Sequence, residues 1–421
     1  MKLLHTSDWH LGRTLYGRKR YEEFEAFLHW LAETIRQREI DVLLVAGDVF
    51  DVSAPGNRAQ ALYYRFLCQV AASDCRHVVI IAGNHDSPSF LDAPRMLLAA
   101  LDIHVVGCVS ENPADEVLTL NDAAGAPELI VCAVPYLRDR DMRVAEAGES
   151  AEDKARKLAD GIRAHYATIA ALAEQKRATL NPAEKIPVVG MGHLFTTGGQ
   201  TIEGDGVRER YVGSLAHVSA GIFSDVFDYL ALGHLHVPQK AGDSESMRYS
   251  GSPLPMGFGE AKQQKSVCLV EFQGTTATVQ TLPVPTFQKL ERVRGDWPTL
   301  SERLRELATS DVPAWLEVVY ESDELIGDLR ERLDAAITGT ALEILRVKNN
   351  AIARRALTQT HAEETLDDLS EEEVFTRCLT AHAIASAQQP ELLRAYREIR
   401  QSLFEEEGEG LSGENETQKI G

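Results

Sequence analysis

No run in this chain approaches the 18 or more consecutive apolar residues that a membrane-spanning helix needs, so no transmembrane anchor is expected. The opening residues, MKLLHTSDWHLG, fit no cleavable signal sequence. Six cysteines (Cys68, Cys75, Cys108, Cys132, Cys268 and Cys378) form no Cys-x-x-Cys pair and mostly lie in apolar context. That argues against a structural zinc site and reads as reduced, buried thiols in a cytoplasmic protein. There is no Gly-x-x-x-x-Gly-Lys-Ser/Thr loop, so any dependence on ATP must come from another polypeptide. Internal repeats are also missing. Positive charge is in short supply: 43 Lys and Arg against 64 Asp and Glu leave a net charge of −21. A chain that grips nucleic acid unaided is usually basic, because phosphate neutralisation dominates its affinity. Unaided grip is therefore weak here, although part of the acidity lies in the tail, at Glu405–Glu407, Glu409, Glu414 and Glu416.

What is present is a set of metal-ligand-type side chains in five short islands: Asp8-Trp9-His10, Gly47-Asp48, Gly83-Asn84-His85-Asp86, Gly192-His193 and Gly233-His234-Leu235-His236. Each lies at or just beyond the end of an apolar, β-branched run: Lys2–Thr6, Val42–Ala46, Val78–Ala82, Ile186–Met191 and Tyr229–Leu232. Such runs read as strands buried on both faces. Oxygen and nitrogen donors gathered at strand ends read as a metal site at the edge of a sheet core. Strand alternation would place Asp8 and His10 on one face, and likewise His234 and His236, with Trp9 pointing away into the core. A single Gly-Asp or Gly-His after a strand is usually only a turn. Five in succession, all of ligand type, make coincidence a poor account. The donor types lean towards intermediate and hard divalent ions, leaving Mn, Fe and Zn open.

The pattern D-x-H…GD…GNHD…GH…GHxH resembles the signature of the calcineurin-like metallophosphoesterases. The longer strings HTSDWHLG, VAGDVFD, AGNHDSPSF, GHLF, ALGHLHVPQ and YSGSPLP resemble its branch of SbcD-type nuclease subunits. The resemblance is strongest over residues 1–270. It implies a binuclear centre in which Asp8, His10 and His236 hold one ion, Asn84, His193 and His234 hold the other, and Asp48 bridges both. It implies two divalent cations, Mn²⁺ in kind. His85 would stabilise the transition state and protonate the leaving 3′ oxygen. Asp86 reads as a partner that orients His85 or caps the next helix. In archaeal and eukaryotic relatives a second histidine follows the GD motif. Asp51 stands in that place, which leaves its part in substrate handling open. Arg208 and Arg210, in the loop-like run Thr196–Arg210, are candidates for a substrate-facing flap, and Ser252 of YSGSPLP is placed near the site. The implied activity is two-metal phosphodiester hydrolysis of DNA in repair and recombination, as a 3′→5′ exonuclease on duplex ends and an endonuclease on hairpins and single strands. The implied partners are DNA, an SbcC-type SMC-like ATPase that gates activity with ATP, and a second copy of the chain, giving a heterotetramer. The competing reading is a small-molecule or phosphoprotein phosphoesterase of the same superfamily.

At 421 residues, two or three domains are expected. The fold class expected is α/β: a metallophosphoesterase two-sheet sandwich flanked by helices, over residues 1–280. Helical periodicity marks Tyr21–Arg38, Arg58–Ala72, residues 91–101 and Ala151–Gln175. The stretches 58–72 and 91–101 are candidates for a homodimer interface, or for core. Beyond Pro283-Val284-Pro285, residues 286–350 read as strand, helix, strand, helix, strand, a small α+β capping domain by resemblance. Residues 360–404 read as a C-terminal helical pair that docks the partner ATPase. Residues 405–421, rich in Glu and Gly, read as a disordered acidic tail.

Overall fold

The computed structural model describes residues 1–144, 146, 148–180, 185–196, 199–201, 219–310, 312–322, 324, 326–349, 374–376, 379 and 388–396. They divide into two compact units, Met1–Arg292 with Pro313–Trp315, and Val293–Val312 with Leu316 onward.

Among the described residues, the first unit contains two six-stranded sheets. Strands Lys2–Thr6, Val42–Ala46, His77–Ile81 and Ile103–Val106 run parallel, and the antiparallel pair Ser266–Gln273 and Thr276–Pro283 extends the sheet beyond Lys2–Thr6. The second sheet has Pro127–Ala133, Val188–His193, Tyr229–Gly233 and Met247–Tyr249 in parallel, closed at its two edges by the antiparallel strands Val117–Asn121 and Gln239–Lys240.

The sheets pack face to face, and the reason is visible in the strand composition. Alternate residues of each run, Leu3, Val42, Leu44, Val79 and Ile81 on one sheet and Val131, Val189, Met191 and Ala231 on the other, form a common core. The intervening residues face outward under helices. Leu4, Leu43, Val45, Val78 and Ile80 pack beneath helices Tyr21–Arg38 and Asn57–Ala71. Ile130, Val188, Leu230 and Leu232 pack beneath helix Ala151–Leu180. Strands buried on both faces are the cause of their unbroken apolar character. Because most strands in both sheets are parallel, the ends that carry the ligand islands emerge along one rim.

Residues 91–101 are not one helix. Pro88–Asp92 and Arg95–Ala99 are separate short helices, because Pro94 lacks the N–H that a continuous helix would require. Leu91 and Leu98 are buried, whereas Met96 and Leu97 are 88% and 71% exposed. No helix among the described residues is long and apolar enough to cross a membrane.

Strands Lys289–Gly295, Ala314–Tyr320 and Leu342–Asn349 form a three-stranded sheet, with helices Trp297–Ala308 and Leu329–Ile337 between them in sequence. Asp296 caps the first helix by accepting from Thr299 N at 3.1 Å. Most of the expected helical pair lies outside the described residues. Within it, residues 389–396 are helical, and the Phe375 ring stacks on Tyr396 at 4.3 Å. The expected acidic tail and the loop residues Arg208 and Arg210 also lie outside the described residues.

Candidate metal centre

Except for His193, the last residue of strand Val188–His193, the ligand-type residues lie beyond their strands. The first strand ends at Thr6, and Asp8 and His10 follow in left-handed backbone at φ 54° and 48°. Their shared direction therefore comes from a loop, not from strand alternation. Backbone hydrogen bonds hold this loop to the next one: Asp8 N donates to Gly47 O at 2.9 Å, and His10 N to Asp48 O at 3.0 Å. Trp9 does point into the core, edge-on to Phe27 and Phe66. Asp48 and His234 also sit at positive φ, 50° and 99°. Left-handed backbone at non-glycine residues is costly and clusters where function demands it. Gly83 is required by close approach, since a Cβ there would meet Asp48 Oδ1 at 2.1 Å.

Seven side chains converge. His10 Nε2 lies 3.1 Å from His236 Nε2 and 3.6 Å from Asp48 Oδ2. His193 Nε2 lies 3.4 Å from the same Asp48 oxygen and 3.0 Å from Asn84 Oδ1. His234 Nδ1 reaches Asn84 Oδ1 at 2.9 Å. Asp8 joins two groups whose donor atoms fall within 4.8 Å of one another, one with His10 and His236 and one with Asp48 and His193. His234 and His236 thus turn to different sides of the cluster, though they are two residues apart.

These separations suit cations. Two donors each about 2.1 Å from one ion lie about 3.0 Å apart at right angles and about 3.4 Å apart in a tetrahedron. The tautomers agree. His193 Nδ1 donates to Ala46 O at 2.9 Å, which leaves the Nε2 lone pair facing the cluster. Electrostatics point the same way. Burial works against a charged His193, but Asp48 and Asp8 outweigh it and push its pKa up to about 9. A proton therefore occupies a place that a cation can take. Burial and the His193 charge hold His234 neutral, with a pKa near 3. Burial also raises Asp8, while His193 and His10 overcome burial at Asp48 and keep it well below the usual carboxylate range.

The surrounding residues take clear places. Asp51 Oδ1 accepts from Arg13 Nη1 at 3.1 Å and faces His10 Nδ1 at 3.3 Å, slightly longer than a formed hydrogen bond. His85 N donates to Asp48 Oδ1 at 2.9 Å, and its Nδ1 donates to Asp51 O at 2.8 Å. Asp86 neither orients the His85 ring nor caps the next helix: Ser87 is that cap, accepting from Phe90 N. Instead the buried Asp86 carboxylate accepts from Gly83 N, Phe50 N and Val49 N at 2.9, 2.9 and 3.1 Å, tying two ligand loops together. Burial and the Asp48 charge raise its pKa to about 6. Ser252 is fully buried and stands behind His236, accepting from Lys265 Nζ at 3.0 Å and donating to Leu254 O at 2.9 Å, so it does not face a substrate. Lys265 also pairs with Glu260, and donates to His236 O at 3.0 Å.

A cleft of about 690 Å³ opens onto one side of the cluster, lined by Asn84, His85, His193 and His234. Asp8, His10, Asp48 and His236 do not line it. The segment Pro135–Arg140 also lines it, a stretch without any ligand-type island in its sequence. Its one signal is position: it follows strand Pro127–Ala133 at the rim that the other islands share.

Residues 1–238 match the family described as calcineurin-like phosphoesterase, and residues 286–383 match SbcD_C, described as a type 5 capsule protein repressor C-terminal domain. The chain is 35% identical to the D-subunit of the SbcCD nuclease of Escherichia coli (strain K12), over 99% of its own length and 100% of that protein's. It is 33% identical to the protein of the same name from Rhodobacter capsulatus (82% and 86% covered) and 32% identical to that of Bacillus subtilis (75% of each covered). With more than half of its length in the phosphoesterase family and a relative matched end to end, the chain belongs to the SbcD family of metal-dependent nucleases.

Proposed function

We propose that this nuclease hydrolyses DNA phosphodiesters with two divalent ions, Mn²⁺ in kind, as the catalytic partner of an SbcC-type ATPase in the cytoplasm. Asp8, His10 and His236 would hold one ion and Asn84, His193 and His234 the other, with Asp48 placed to serve both. The observation that carries this reading is the convergence of these seven side chains from five separate segments of the chain, with a cleft open on the Asn84 side. Bound ions of this kind lower the pKa of water and clamp the attacking and leaving oxygens of an in-line displacement.

The chain's own groups do the rest. Asp48 keeps its charge between His10 and His193. His85 is pinned by the Asp51 carbonyl and lines the cleft, where its other ring nitrogen can deliver a proton to the leaving 3′ oxygen. Burial lowers the His85 pKa and Asp48 opposes that lowering. An anionic substrate in the cleft adds to the opposing effect and favours the protonated ring. The Asp51 carboxylate stands behind the His10 ring at 3.3 Å, a place from which it can support that ligand.

The implied reactions are 3′→5′ exonuclease action on duplex ends and endonuclease cleavage of hairpins and single strands, gated by the partner's ATP cycle. The net charge of −21 supports dependence on a partner for DNA grip. Exposed Met96 and Leu97 support a homodimer contact through the residues 91–101. The 286–350 module would cap the nuclease, with residues 360–404 docking the ATPase.

The test is Mn²⁺-dependent cleavage of an end-labelled hairpin duplex, with and without the ATPase partner and ATP, using Asp48→Ala as control. Cleavage that requires Mn²⁺ and Asp48 and rises with partner and ATP is the expected result. Metal-loaded protein that hydrolyses small phosphomonoesters but no DNA would favour the small-substrate phosphoesterase.

A further inference from the structure

We propose that Arg138 binds a backbone phosphate of the DNA strand adjacent to the scissile one, positioning the strand along the cleft. The proposal rests on the nuclease reading above and names the residue that would hold the polyanion beyond the metal centre.

Three observations carry it. The first is place: Arg138 lines the same cleft as Asn84, His85, His193 and His234. The second is rigidity. Tyr136 N donates to Ala82 O at 2.9 Å, the Tyr136 ring stands edge-on to His193 at 6.2 Å, and Leu137 is buried. Arg138 therefore leaves the rim from backbone that is tied to a ligand loop. The third is charge. Two neighbouring carboxylates have other cations beside them: Asp139 pairs with Arg143 at 2.6 Å, and Asp141 lies 3.6 Å from Arg140. The Asp51 carboxylate, which also lines the cleft, is engaged by Arg13. Arg138 is half-buried, yet no carboxylate among the described residues lies within ion-pair distance of it.

A half-buried guanidinium with no internal carboxylate partner, in a cleft shared with metal-ligand candidates, is left free to pair with an external anion. A phosphodiester supplies the missing partner. Arginine presents a planar fork that matches two phosphate oxygens, whereas a water-exposed lysine offers only a point charge. The reaction centre would take one phosphate. A strand carries a negative charge at every nucleotide, so a second cationic contact fixes its direction through the cleft.

The test uses the full-length chain with a labelled single-stranded oligonucleotide, comparing wild type, Arg138→Ala and Arg138→Lys. Cleavage is followed with Mn²⁺, binding is measured against salt without Mn²⁺, and metal content is determined for each protein. The expected result for Arg138→Ala is a KM raised about tenfold or more with a smaller change in kcat. Its salt dependence of log K should be shallower by about 0.7, the contribution of one single-strand phosphate contact. Arg138→Lys should recover the slope but only part of the KM. Wild-type KM and slope in Arg138→Ala would overturn the proposal, as would a loss of metal content that accounts for the lost activity. Wild type that holds metal but cleaves no DNA overturns the nuclease reading instead, and the binding slope still decides whether Arg138 contacts phosphate.

Discussion

His10 Nε2 and His236 Nε2 face each other across 3.1 Å, although 226 residues separate them in the chain. Two neutral imidazole nitrogens presented this way repel unless a proton or a cation lies between them. Removing metal with EDTA should therefore lower the melting temperature by several degrees, and Mn²⁺ should restore it. Linkage gives about 2.7 kcal/mol when the free ion stands at about 100 times its Kd. The measurement is a thermal melt at each metal level. A melting temperature indifferent to chelation, in protein shown to lose its ions, would reject the arrangement.

His85→Ala should retain the ions and lose activity by about 10²–10⁴-fold, the range of one positioned proton donor. Asp48→Ala should lose both ions and activity, because its carboxylate lies between His10 and His193. Metal analysis beside a cleavage assay separates the two. Equal metal loss in both variants would remove the division of labour between them.

Asp51→Ala tests the carboxylate behind His10. Partners of this kind orient a ligand imidazole, and losing one typically weakens metal binding about 10–100-fold. Competition with a chromogenic chelator should register that loss, with Asp51→Asn falling between the variant and wild type. If Asp51→Ala holds metal as tightly as wild type, His10 needs no such support.

His5 predicts an acid branch in stability. It is fully buried between the sheets, hydrogen-bonded to Tyr229 OH at 2.9 Å, and burial lowers its pKa to about 3. The unfolded chain binds a proton near pH 6.5 that the folded chain refuses. Its contribution is thus complete above about pH 6.5 and shrinks as pH falls from there towards 3, by up to about 1.4 kcal/mol per pH unit. Denaturant unfolding at pH 7 and pH 5, for wild type and His5→Gln, should show a smaller pH difference in the variant. Parallel losses in the two proteins would exclude His5 as the source.

Much of the site can be read locally. Each ligand island is a short string after an apolar run, and the chemistry of Asp, Asn and His at strand ends needs only a few neighbouring residues to be noticed. The helix Tyr21–Arg38 is equally legible, since its apolar face and its terminal charges, Glu22 and Glu23 before Arg36 and Arg38, are written in consecutive turns. Asp86 is harder: its type suggests a cap, but its three backbone partners belong to loops that meet only in the folded chain. Residues 91–101 have the periodicity of one helix, yet the missing N–H of Pro94 divides them.

Composition and local pattern determined the donor set, the strands buried on both faces and the absence of an ATP-binding loop. Tertiary structure alone decided that His10 meets His236, that His234 turns to Asn84 and that Arg138 lines the same cleft as Asn84 and His193. The physical reason is that donor chemistry belongs to single residues. Proximity depends on which strands become neighbours when two sheets bury their shared faces, and no short window of sequence contains that pairing.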